Sequence, residues 1–293
     1  MPVIFSPPNN CRMLVLAASV FLCCFPLRAF AHQPRVASAT LCADQVILKL
    51  ADSDQIVAVS PDAADPHVSW MAWKGAGYPR PMPSAEAYIQ LGADVVMTDA
   101  WSHHRMASLL ERSGVRVVRL PMTETVEGIG HQIDLAAEAL GQHERGTMLK
   151  QAMKRSLDAV AYRRTGADRR ALYQTPGGYS AGPGTIIDEI MTLNGLRNVT
   201  QTEGWPRHDP EHLLLEPPDL LLASFFDAPY YSRGMDISSR QLQHLSGEKK
   251  IPAITVPGAM WACSTWTVME AAEHLSSALL TLLPRTVEDG QCE

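Results

Sequence analysis

The sequence is poor in several things at once, and each shortage removes a class of protein. Charged residues are 19% of 293 while hydrophobic ones are 46%, which excludes disorder, a state that needs the reverse balance. The formal net charge of −6 argues against wholesale binding to nucleic acid or to an anionic membrane surface. Glycine and proline are not periodic, so collagen-like and low-complexity classes fall away. Only six cysteines are present, with no CxxC pair and no zinc-type spacing. The segment Gly177–Gly184 is glycine-rich but has neither the Gly-Lys-Ser/Thr of a P-loop nor a G-x-G-x-x-G register, and no G-x-S-x-G elbow occurs in the chain. Beyond residue 31 no stretch approaches the roughly 18 apolar residues of a membrane span.

The first 31 residues are a different material. They hold no acid, and Arg12 and Arg28 flank the apolar run Met13–Phe25. That length suits the core of a secretory leader and is short for a bilayer span. Ala29-Phe30-Ala31 supplies a small-x-small cleavage pattern, so cleavage is expected before His32, leaving 262 residues and a charge of −8. Cys23 and Cys24 follow Phe21 and Leu22 rather than small residues, so lipid anchoring is not expected. The mature chain is therefore expected to be exported. Cys42, Cys263 and Cys292 remain after cleavage. A Cys42–Cys263 bridge and two buried thiols are both open readings.

Along the rest of the chain, short β-branched runs alternate with segments of helical period. The runs are Val36–Ala39, Ile56–Val59, Val95–Thr98 and Val115–Val118, and the pattern restarts with Ala171–Gln174, Leu220–Ala223 and Ala253–Val256. Such alternation implies parallel sheets with helices on their faces. Between the two series, Met148, Leu149, Met153, Leu157, Val160 and Ala161 recur at helical spacing. We read one long helix over about 142–164, joining two α/β halves.

An internal repeat relates those halves. Glu86 precedes Asp94 and the run Val95–Met97; Glu211 precedes Asp219 and Leu220–Leu222. Glutamate and aspartate are eight residues apart in each copy, and the copies are offset by 125 residues. Pro83 and Pro210 stand shortly before each glutamate, which places it at a helix start, where a carboxylate is favourable. Ordinary helix capping accounts for one such glutamate and less well for two in matching contexts.

With Arg35–Asp44, Ile56–Ser60, the segment Gly177–Ile190 and the turn Leu193-Asn194-Gly195-Leu196-Arg197-Asn198, this arrangement resembles the periplasmic substrate-binding proteins of ABC importers for iron–siderophore, haem and vitamin B12. The resemblance covers about 34–284. It implies two Rossmann-like α/β lobes joined by one long helix, with the ligand cleft between the lobes. The expected organisation is a leader at 1–31, an N-terminal lobe at 32–141, a linking helix at 142–167 and a C-terminal lobe at 168–293. The resemblance further implies a monomeric receptor without enzymatic activity or cofactor. It would capture a metal chelate and hand it to an inner-membrane permease with its ATPase. Glu86 and Glu211 match the pair, one per lobe, that docks onto permease arginines in that family.

A cleft for a large chelate wants flat apolar walls and a few polar anchors. All six tryptophans fall in loops near strand ends: Trp70 and Trp73, Trp101, Trp205, and Trp261 and Trp266. Ligands of open α/β sheets bind beyond the carboxyl ends of the strands. With Ser38, Thr40, Tyr179 and Phe226, these residues make up the candidate cleft set.

His103 and His104 follow Trp101 and are candidates for a metal contact; solvated surface histidine is the plainer reading. His208-Asp209-Pro210-Glu211-His212 matches H-x-x-E-H, but Asp209 and Pro210 suit the cap and first turn of a helix, which leaves His208 outside it. A bare transition-metal-ion binding protein and an exported metal-dependent hydrolase are the alternatives. The chain has no histidine-rich loop to support the first.

Overall fold

In the computed structural model the described residues are 1, 3, 33–207, 210–225 and 251–282. All of the leader except residues 1 and 3, together with His208, Phe226 and Cys292, therefore lies outside the described residues. All named elements fall in one unit that begins at Gln33.

The first half reads β1 (Val36–Ser38), α1 (Leu41–Leu50), β2 (Ile56–Ala58), a 3-10 turn, α2 (Ala72–Gly75), α3 (Ala85–Gln90), β3 (Val95–Asp99), α4 (His104–Arg112) and β4 (Arg116–Leu120). Helices α5 (Val126–Leu140) and α6 (His143–Arg163) follow. The second half reads β5 (Arg170–Gln174), α7 (Ile186–Leu193), β6 (Arg197–Asn198), α8 (Pro210–Leu215), β7 (Leu220–Ala223), β8 (Ala253–Thr255), α9 (Gly258–Trp261) and α10 (Val268–Leu282).

The strands form two four-stranded parallel sheets, ordered β2-β1-β3-β4 and β6-β5-β7-β8. The two orders are the same when each half is counted from its own first strand. The central strands are buried on both faces, which is why they read as continuous apolar runs rather than alternating ones. The two-residue β6 went unread in the sequence because it is too short and polar to show a period.

The repeat has a structural explanation for its aspartates. Asp94 Oδ2 accepts the Arg35 backbone N–H at 2.8 Å, and Asp219 Oδ2 accepts that of Arg170 at 2.8 Å. Each aspartate's own N–H returns a bond to the same arginine's carbonyl. Both thus tie the start of the third strand of a sheet to the start of its first, and fix the register on which both carboxyl edges depend.

Helix α6 has 21 residues, about 32 Å at 1.5 Å per residue. Its buried stripe is Gly146, Leu149, Met153, Leu157 and Val160. Gly146 permits the approach to α5, since a Cβ there would lie 2.5 Å from that of Ala137. Arg145 pairs with Asp52 and donates to the Leu50 carbonyl near the start of α6. Arg163 pairs with Glu273 of α10 at its end. After α6 the chain turns through Arg164 at φ 43° and Gly166, whose N–H donates to Asn194 O at 2.7 Å. The Asn194-Gly195 turn thus receives the chain where α6 ends. One apolar core runs through both halves, from Val36 to Leu279.

Candidate functional site

Both sheets present their carboxyl edges to the same space. From the first half come Asp99 at the end of β3, the segment Leu120–Glu124 after β4, and Cys42 in the first turn of α1. Trp205 and Ala262–Thr265 face them from the second half. Together with Gln132 of α5 these residues enclose a hollow of about 210 Å³. Trp205 also walls a second hollow of about 430 Å³, with Thr175, Pro176, Gly177, Tyr179 and Phe225. The Trp205 and Tyr173 rings pack edge to face with centroids 6.3 Å apart, as do those of Tyr173 and Trp261 at 6.2 Å. Edge-to-face pairs of this kind hold a ring in place from behind.

The floor between the halves is braced. Cys42 and Cys263 form a disulfide with a Cα–Cα distance of 5.4 Å, which answers the question the sequence left open. The indole N–H of Trp266 donates to Gln45 O at 2.7 Å, and Lys49 lies over the same ring at 4.0 Å. Two glutamates cross in opposite directions. Glu124, just before α5, accepts the Ile186 N–H that opens α7 at 3.0 Å. Glu189 of α7 accepts the Val126 N–H that opens α5 at 3.2 Å. Each carboxyl group thus satisfies an orphan donor at the other helix's start. The second oxygen of Glu124 accepts the Trp205 indole N–H at 3.4 Å, so this residue also positions the aromatic wall.

The sequence candidates are spread over three environments. Trp205 and Tyr179 wall the hollows, each a little under half exposed, and Arg207 stacks over the Tyr179 ring at 5.0 Å. Trp73, in α2, and Trp101, just after β3, are 78% and 75% exposed. Trp70 is half-buried and packs on the core. Thr40 caps the start of α1 and donates to Asp99 Oδ1 at 2.9 Å. Ser38, Trp261 and Trp266 are buried instead of walling the cleft. Ser38 donates to Thr40 O, and both indoles fill the core beneath the hollow. Position after a strand does not distinguish an aromatic that faces a cleft from one that closes the core under it.

His103 sits at the N-cap of α4 with φ 56°, and His104 lines a surface hollow made by α4 alone, with Arg105 and Arg112. Among the described residues no group of three His, Cys, Asp or Glu converges to hold a metal ion. Helix α8 begins at Pro210, and His208 and Asp209 lie outside the described residues. Glu86 and Glu211 are exposed in the first turns of α3 and α8.

Asp99, Glu124 and Gln132 were missed in the sequence. Asp99 ends β3, and Glu124 lies in the segment that follows β4, a position that was the available signal. Burial pushes the Asp99 carboxyl above its ordinary range, against the bond from Thr40. Gln132 donates through Nε2 to Pro121 O at 2.6 Å, and its buried Oε1 has no protein donor.

Residues 36–228 match the sequence profile of the periplasmic binding protein family. A cobalamin-binding protein of Halobacterium salinarum is 23% identical over 196 residues, which is 64% of this chain and 53% of that relative. The chain thus spans about half the length of the curated relatives it matches. Among solved structures, the periplasmic haem-binding protein HutB of Vibrio cholerae superposes with a TM-score of 0.70 at 19% identity, covering 84% of this chain and 98% of that one. The periplasmic vitamin B12 binding protein BtuF of Vibrio cholerae gives 0.62 at 17%, covering 85% and 97%. The haem-binding protein RhuT from Roseiflexus gives 0.67 at 18%, covering 85% and 98%. At these identities the likeness is one of fold.

Proposed function

The chain belongs to the periplasmic binding protein family, and on that premise we propose that it is the solute-binding component of an ABC importer, capturing a metal chelate between its lobes. It works without catalysis and as a monomer. The leader at 1–31 exports it to the periplasm. The organisation follows the lobes, with the N-terminal lobe at 32–141, the linking helix at 142–167 and the C-terminal lobe at 168–293. The observation that carries the reading is the pair of hollows at the joined carboxyl edges of two parallel sheets, with Trp205 as their common wall. Exposed Trp73 and Trp101 supply further apolar surface for a ligand too large for the hollows alone. The haem and vitamin B12 binding of structural neighbours, and the cobalamin binding of the sequence relatives, support a planar metal macrocycle as cargo.

Glu86 and Glu211 dock the closed protein onto the permease. Exposed ion pairs contribute only about 0–1 kcal/mol each. Two of them held at fixed separation set orientation, so the permease reads both lobes at once. Release then follows from ATP hydrolysis in the partner. Replacing both by lysine should abolish uptake in cells while leaving chelate affinity of the purified protein unchanged. Uptake that survives the double reversal contradicts the docking assignment.

A further inference from the structure

The Cys42–Cys263 bridge joins the two halves at the smaller hollow, and both cysteines stand in its wall. Cys42, in the first turn of α1, is half-buried, while Cys263 is buried. A thiol that enters the hollow therefore meets Cys42 first. On the first half, Thr40 at the start of α1 holds Asp99 of the same hollow at 2.9 Å. On the second half, Ala262, Ser264 and Thr265 line the hollow beside Cys263. They form the turn between α9 and α10, closed by the Thr265 N–H donating to Cys263 O at 2.9 Å. The bridge ties this turn covalently to α1. Trp266, the next residue, keeps its own bond to Gln45 O at 2.7 Å, with Lys49 over its ring. The crossed caps of Glu124 and Glu189 and the common core do not depend on the bridge. Opening it thus frees a stretch of the hollow's wall while the halves stay joined.

We propose that this bridge is a redox latch on the ligand hollow. Closed, it holds the turn at 262–265 against α1. Opened by a low-molecular-weight thiol that enters through the hollow, it lets that wall shift and weakens capture, and a bound ligand shields it in turn. The chemistry is thiol–disulfide exchange. One thiolate attacks the Cys42 sulfur, the S–S bond breaks, and the electron pair leaves on the Cys263 sulfur, which takes up a proton. A second thiolate attacks the external sulfur of the mixed disulfide and frees Cys42, which is protonated in turn. The protein gains two electrons and two protons, and the two thiols leave as one disulfide. The inference goes beyond the chelate-binding reading and rests on it for what fills the hollow. Linkage makes the two effects reciprocal: the factor by which opening weakens ligand binding is the factor by which bound ligand resists opening. A bridge that only stapled the halves would add stability and show neither effect.

The test uses the full-length mature chain carrying Cys292→Ser, which removes the third thiol. Reduced and oxidised glutathione set the redox state, and cyanocobalamin is the ligand probe. Alkylation and mass spectrometry read the bridge, and calorimetry reads affinity in the oxidised chain and in the same chain held reduced. The reduced chain should bind the probe about tenfold more weakly, and saturating probe should raise the thiol-to-disulfide balance needed for half-reduction by the same factor. Reoxidation should restore the affinity, and the reduced chain should keep a cooperative thermal transition. Ser264→Trp and Met122→Trp, which crowd the hollow from its two sides, should each slow reduction of the ligand-free chain about fivefold or more, because access limits exchange. Equal affinity in the two redox states would overturn the latch and leave chelate capture standing. Reduction at the parent rate in both tryptophan variants would overturn entry through the hollow. Loss of the cooperative transition on reduction would overturn the latch as well, since weaker binding would then be unfolding. An oxidised chain that does not bind the probe would overturn the chelate reading, and the latch with it.

Discussion

At the scale of single residues, the most consequential side chains are polar groups held where water does not reach. Asp44 is fully buried in α1 and accepts both the backbone N–H and the hydroxyl of Ser60. Burial outweighs those bonds and the neighbouring Ser38 hydroxyl, and with Asp62 nearby it lifts the carboxyl from 3.8 to about 6. Between these values the native chain holds a proton that the unfolded chain has released. Asp44 therefore adds stability as pH falls from about 7 towards 4, and that contribution is lost as pH rises through 6. Urea melts of the wild type and Asp44→Asn should diverge accordingly, with the wild type gaining on the variant between pH 7 and pH 4.5. Parallel curves would show that the group does not titrate in this range.

Residue identity was legible in the sequence to an uneven degree. Tyr179 and Trp205 were named from the sequence as aromatics in loops near strand ends, and in the structure both line hollows. Trp261 and Trp266 obey the same positional rule and yet fill the core, one against Tyr173 and the other on Gln45 O. Gln132 has no local signature at all. Its role depends on Pro121 meeting it in space.

At the scale of elements, α6 is defined by the contacts that hold its face and its two ends. The helix can lie against α5 only because residue 146 has no side chain. Gly146→Val should force the pair apart and cost about 1–3 kcal/mol, the usual penalty for overpacking a close contact. Thermal unfolding reads this directly, and an unchanged midpoint would show that the helices separate without cost. The strands were readable because strands buried on both faces keep their β-branched runs intact. The repeated Glu-to-Asp spacing was readable as a repeat. Its meaning was not, since the aspartates act on backbone N–H groups 59 and 49 residues away. No sequence period reports such a bond.

At the scale of the whole molecule, the two halves are joined by far more than one helix. A continuous core, the Cys42–Cys263 disulfide, the Trp266 bond and the crossed Glu124 and Glu189 caps all span them at the base of the cleft. These contacts should restrict motion between the halves to small tilts about that base. The disulfide closes a loop with a sequence separation of 221 residues, so its removal by Cys42→Ser with Cys263→Ser should cost about 2–4 kcal/mol. Denaturant titration would give that figure. Spin-label distances across the cleft mouth should broaden in the same variant, and an unbroadened distribution would assign the restraint to the core and caps alone.

The central claim is that a metal chelate is bound against Trp205 between the lobes. Its most direct test is an equilibrium titration of the mature chain with cyanocobalamin, followed by quenching of tryptophan fluorescence in the wild type and in Trp205→Ala. The account predicts saturable one-to-one quenching in the wild type, weakened at least tenfold in the variant. Saturable binding that Trp205→Ala leaves untouched would contradict it.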